Sequence, residues 1–105
     1  MTTEYNNQKG SIQSLSGSWD VGSTIYLPAD LRGQVINIIR GPGSGAGSGA
    51  TGQAIAVPLI NGTSEQVLAG GNAWIWLQYS FSQDSTTIKV ADGRYANFTQ
   101  IFYRI

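Results

Sequence analysis

The chain has 105 residues, which is room for one domain and not for two. Charged residues make up 11% of it, against about 25% in an average soluble protein, and six Lys/Arg balance six Asp/Glu, so nothing selects a strongly charged partner such as nucleic acid. The absence of cysteine and histidine removes disulfides and thiolate metal sites, and with them the commonest metal ligand and the commonest general base.

Residues 1–10 (MTTEYNNQKG) are polar and read as a flexible arm before a single domain at 11–105. They contain no hydrophobic segment of the secretory kind. No run reaches the ~20 apolar residues of a membrane span, so membrane insertion is not expected. Export would then depend on another route, such as a released virus particle or lysis.

Ser11 to Leu15 reads as a short strand, and Ser16 to Gly22 (SGSWDVG) as a turn around Trp19 and Asp20. Ser23 to Leu27 is β-branched and aromatic, a strand with Ile25 and Leu27 on one face. Pro28 to Gly33 breaks it. Gln34 to Arg40 (QVINIIR) has apolar residues on both faces, which predicts burial on both sides. Residues 41–53 (GPGSGAGSGATGQ) form a Gly/Ser-rich tract expected to be a long mobile loop.

Ala54 to Ile60 is the next strand, with Ile55, Val57 and Leu59 sharing a face and Pro58 calling for a sheet edge or a bulge. Asn61-Gly62 is a hairpin signal, with Thr63 to Ala69 as the return strand. Gly70 to Asn72 turns the chain into Ala73 to Phe81 (AWIWLQYSF). Strand alternation puts Ile75, Leu77, Tyr79 and Phe81 on one face of that segment and Trp74, Trp76, Gln78 and Ser80 on the other. After a turn at 82–85 come a strand at Thr86 to Val90, a turn or wide loop at Ala91 to Asn97, and a last strand at Phe98 to Ile105. On that last strand Phe98 and Phe102 are expected on one face and Ile101 and Tyr103 on the other.

No window carries helical apolar spacing. Seven or eight short strands separated by turns predict an all-β fold, an antiparallel β-sandwich or jelly-roll-like barrel with essentially no helix. The final strand is expected inside a sheet. A lone sandwich of this size needs one apolar face per sheet. Aromatics on both faces of the last strands therefore predict a homo-oligomer, with a trimer as the guess.

Trp19, Trp74 and Trp76, with Tyr26, Tyr79 and Tyr95, can form a platform for sugar rings, because aromatic faces stack on the C–H faces of sugars. Asp20, Asn72, Gln78, Asp92 and Asn97 offer groups for the hydroxyls. The competing reading makes Trp74 and Trp76 core or subunit-interface residues. Gly47-x-Gly49-x-x-Gly52 matches the dinucleotide fingerprint in form, but a strand follows where a helix is required, so no cofactor is expected. Gly43, Gly45, Gly47 and Gly49 read instead as a contact loop whose bare backbone can approach a partner closely. The carboxylates Asp20, Asp30, Glu65, Asp84 and Asp92 are scattered, mostly in turns; their spacing points to no glycosidase pair, and no D-x-D-x-D-G pattern supports a calcium loop at Asp84 and Asp92. No metal site and no catalytic residue are expected.

The C-terminal segment ADGRYANFTQIFYRI (Ala91 to Ile105) resembles the ending of some tailed-phage tail-fibre and related virion proteins, and the Gly-rich tract and cysteine-free composition are similar too. The resemblance implies a trimeric, all-β, receptor-binding or structural virion component and transfers no site residues. The expected function is a non-enzymatic binding module for a cell-surface glycan or protein, contacting it through Trp19, Asp20, Asn72, Trp74, Trp76, Gln78 and the glycine loop. The alternatives are a structural virion subunit, such as a capsid decoration or tail component, and a soluble oligomeric lectin.

Overall fold

The computed structural model describes residues 11–40, 51–70, 73–94 and 97–105. The expected N-terminal arm, the glycines at 43–49, Asn72 and Tyr95 lie outside the described residues. The described residues contain eight strands: β1 (Ile12–Trp19), β2 (Thr24–Leu27), β3 (Val35–Arg40), β4 (Thr51–Ala56), β5 (Ser64–Gly70), β6 (Ala73–Ser82), β7 (Ser85–Arg94) and β8 (Phe98–Arg104). They contain no helix. The strands form two four-stranded antiparallel sheets, β1-β8-β3-β4 (sheet A) and β2-β7-β6-β5 (sheet B). This is a β-sandwich, as the turn spacing predicts.

Among the described residues the first strand pairs with the last and the second with the second-last. β8 lies between β1 and β3, and Ser11 and Ile105 exchange backbone hydrogen bonds of 3.1 and 3.3 Å that carry the ladder to the C-terminus. Seven of the eight strands, β2 to β8, bury residues between the sheets, while β1 packs the partly buried Leu15 and Trp19 against that core. Sheet A contributes Ile36, Ile38, Ile55 and Ile101, and sheet B contributes Ile25, Leu27, Ile75, Leu77, Tyr79, Ile88 and Val90. The expected inward stripe of β6 is present, with Phe81 half-buried at its end.

Several expectations are corrected. β1 runs on to Trp19, because pairing with β8 overrides the turn propensity of Ser-Gly-Ser, and the turn comes at Asp20–Ser23. Residues 51–53 belong to β4 and pair with Ile38 to Arg40, not to the loop. β3 is buried on one side only: Ile36 and Ile38 point inward, while Asn37 is exposed and Val35 is 37% exposed. Asn61-Gly62 does turn, with Gly62 at φ 87°, but it links the two sheets and closes no hairpin. Asn61 Oδ1 accepts the Phe81 N–H at 3.0 Å and the Gly62 N–H donates to the Tyr79 carbonyl, so the turn leans on β6. Leu59 lies beyond β4 and is exposed. A register shift at Ile39/Arg40 turns Phe98 inward beside Ile101, against simple alternation.

The far end of the sandwich is closed by the 28–34 connection. Thr86, fully buried on β7, holds it in place: its Oγ1 accepts the Leu31 N–H (2.9 Å) and its hydroxyl donates to the Ala29 carbonyl (2.7 Å). Leu31 thereby enters the core.

Candidate functional site

β6 carries the two indoles outward because Ile75 and Leu77, between and after them, are drawn into the core. Trp74 is half-buried and Trp76 is 39% exposed. Two strand residues apart, their Cα atoms are separated by roughly 7 Å along one row. Their paired neighbours on β7, and that of Trp76 on β5, are polar. Trp76 lies between Gln66 of β5 and Asp92 of β7, Trp74 lies opposite Arg94, and Gln78 lies between Ser64 and Lys89. On the outer face of sheet B, Trp76 is thus flanked on both sides by hydrogen-bonding groups, and Trp74 on its β7 side.

A β-bulge supplies half of that flank. Leu77 pairs with Val90 and Trp76 with Asp92, leaving Ala91 as the extra residue. Val90 is buried, so strict alternation would turn Asp92 and Arg94 into the sandwich as well. The inserted residue reverses the phase and brings both charged residues out beside the indoles, with Gly93 opposite the buried Ile75. The expectation of a turn or wide loop at Ala91 to Asn97 is corrected here: β7 continues to Arg94. Bulges of this kind recur where a strand has to re-aim a side chain toward a site.

The structure brings together only part of the sequence-derived set. Trp74, Trp76, Gln78 and Asp92 share the outer face of sheet B, and Tyr26 is exposed on the same face at its β2 edge. Trp19 belongs to sheet A. Its ring packs 5.8 Å from Phe98, and a methyl group on Gly17 would lie 2.7 Å from it, so this indole is laid down over the backbone and packed against the core. Asp20 is occupied by its own turn, its Oδ1 accepting the Val21 N–H at 2.8 Å and its N–H donating to Ser23 Oγ. Asn97 donates to Ser18 Oγ at 3.0 Å.

Tyr79 is corrected from platform candidate to core: it is fully buried and its hydroxyl donates to Glu65 Oε1 at 2.8 Å. Burial, reinforced by that carboxylate, pushes its phenol well above the ordinary tyrosine range. Gln66, Lys89 and Arg94 escaped the sequence reading. Their sequence signal is weak, because it exists only once the registers of β5 and β7 against β6 are known.

The strand ends that flank the undescribed glycines, Arg40 and Thr51, lie at the same end of the sandwich as Trp19, Gly70, Ala73 and Arg94. Among the described residues no three potential metal ligands gather. Compared with known proteins, the chain matches no protein-family model, and no curated protein or solved structure matches it significantly.

Proposed function

We propose that the chain is a non-enzymatic binding module that holds a saccharide on the outer face of sheet B, of the kind a virion or fibre tip presents to a cell-surface glycan. The observation that carries this reading is the placement of Trp74 and Trp76 side by side on an outward face, with Gln66, Gln78 and Asp92 in register around them. Adjacent indoles on one outward sheet face suit the C–H face of a sugar, and the amides and carboxylate suit its hydroxyls. Such sites combine an aromatic lining with a few fixed polar groups. A soluble lectin would use the same face. A glycan array with wild type and Trp74→Ala tests the reading: retention of a defined glycan set by wild type, lost in the variant, supports it. An array on which folded wild type retains nothing overturns it.

A second reading, a structural subunit packed against copies of itself, is favoured by the outer face of sheet A. There Ile12, Val35, Ile39 and Phe102 line a trough of about 660 Å3, beside a flat strip of Gly52, Ala54 and Ala56 on β4. The face thus presents both raised apolar side chains and a low floor that can receive them from a second copy. Light scattering tests it: a dimer or trimer that dissociates on Phe102→Glu supports self-association, and a wild-type monomer overturns it.

A further inference from the structure

The two most exposed aromatic side chains among the described residues both stand on the outer face of sheet B: Trp76 of β6, 39% exposed, and Tyr26 of β2, 70% exposed. Tyr26 points outward because Ile25 and Leu27, on either side of it, are drawn into the core. It pairs with Thr87 of β7, which pairs in turn with Ser80 of β6, so these three form one row across the sheet. The next row holds Lys89 and Gln78, and the row after that holds Asp92 and Trp76. Trp76, Lys89 and Tyr26 therefore follow a diagonal, one row and one strand at a time. Four residues along β6 and two strand spacings across put the Cα atoms at its ends roughly 16 Å apart. The outward residues between them are polar: Gln78, Ser80 and Lys89 are exposed and Thr87 is half-buried. A single exposed aromatic is ordinary on a protein surface. Two on one face, with hydrogen-bonding groups between them, make a track.

We infer that this face takes an extended linear oligosaccharide laid obliquely across the strands, with one ring stacked on Trp76 and another, several sugars along, on Tyr26. The inference rests on the saccharide-binding reading above and narrows its ligand from a single sugar to a chain. The separation sets the length. A disaccharide is too short to stack on both rings across roughly 16 Å, whereas several linked pyranoses reach. The hydroxyls in between then fall over Gln78, Lys89 and Thr87, which offer donors to them. Two stacking contacts joined by one covalent chain reinforce each other. Once the first ring is seated, the second is held beside Tyr26 at a high effective concentration. A chain of sufficient span therefore gains affinity over fragments that reach one ring only. Thr86, next to this track on β7, faces the core and takes no part.

The test uses the glycan best retained by wild type on the array, taken as linear fragments from disaccharide to hexasaccharide and titrated against wild type, Tyr26→Ala and Trp76→Ala. The expected result for wild type is an affinity that rises by about tenfold from the disaccharide to the longer fragments and then levels off. Tyr26→Ala should lose about fivefold on the hexasaccharide and nothing on the disaccharide, which flattens the rise. Trp76→Ala should weaken every length. A longer chain also offers more binding registers, and the tyrosine variant separates that effect, because it keeps the registers and removes one contact. Affinity independent of length in wild type overturns this inference while leaving saccharide binding intact. So does a rise that persists in Tyr26→Ala, an equal loss at every length in that variant, or a best-retained glycan with no linear run longer than a disaccharide. Absence of binding to any glycan by folded wild type overturns both.

Discussion

Thr86 offers the sharpest test of how the sandwich is held together without touching the proposed site. Replacing it with valine keeps the shape and removes both hydrogen bonds of its hydroxyl, stranding the Leu31 N–H and the Ala29 carbonyl. A buried polar group deprived of its partner costs about 1–3 kcal/mol. Ala29 is only half-buried, so its share falls at the low end. The expected loss is about 2–4 kcal/mol, a large part of the ~5–15 kcal/mol that stabilises a typical domain. At about 4–8 °C per kcal/mol for a domain near this size, Tm should fall by at least about 8 °C.

Urea denaturation followed by far-ultraviolet circular dichroism measures the effect, and a lower midpoint at unchanged slope is the expected form. Thr86→Ser, which keeps donor and acceptor, should lose much less. Saccharide binding by folded Thr86→Val should match wild type, because Thr86 pairs with Phe81, five residues and roughly 17 Å along β6 from Trp76. A valine variant as stable as wild type would refute the account of Thr86 as the tie for the 28–34 connection.

Trp76→Ala should weaken saccharide binding by about 30-fold or more, the ~2 kcal/mol scale of a tryptophan at the centre of a contact, readable by calorimetry. Gly17→Ala should destabilise by about 1–3 kcal/mol, since its methyl group displaces the Trp19 ring; thermal melting checks it. Gly62→Ala meets nothing within 4 Å, so its cost of about 1 kcal/mol in the same melt comes from the positive φ alone. The folded pKa of Tyr79 lies above its unfolded value, so its contribution to stability is fully present below pH ~10 and declines as the unfolded chain ionises above that. Stability should fall there by up to about 1.4 kcal/mol per pH unit, and Tyr79→Phe should flatten the slope in alkaline denaturation.

Period-two patterning made the β class and the inward stripe of β6 legible, because both rest on residues whose burial is dictated locally. What stayed hidden depends on pairing. Ala91-Asp92-Gly93 has the composition of a turn, and only ten residues of β6 opposite it make it a bulged strand. Ser16-Gly17-Ser18 is turn-like for the same reason and is held extended by β8. Asn61-Gly62 announces a reversal but not whether the next strand pairs beside the last or crosses to the other sheet. At the candidate site the indoles were readable from alternation alone. Lys89, Arg94 and Gln66 were not, since a cross-strand neighbour has no address in sequence. Trp19 shows the converse: an aromatic that looked available in a turn packs close over Gly17 and against Phe98.

The most direct measurement of the central claim follows the three indole N–H resonances of 15N-labelled protein, assigned by single Trp→Phe variants, during titration with the saccharide best retained on the array. The account predicts that the Trp74 and Trp76 signals shift together with saturation while Trp19, packed in sheet A, stays where it is. A titration that moves Trp19 alone, or that saturates without moving either indole of β6, would contradict it.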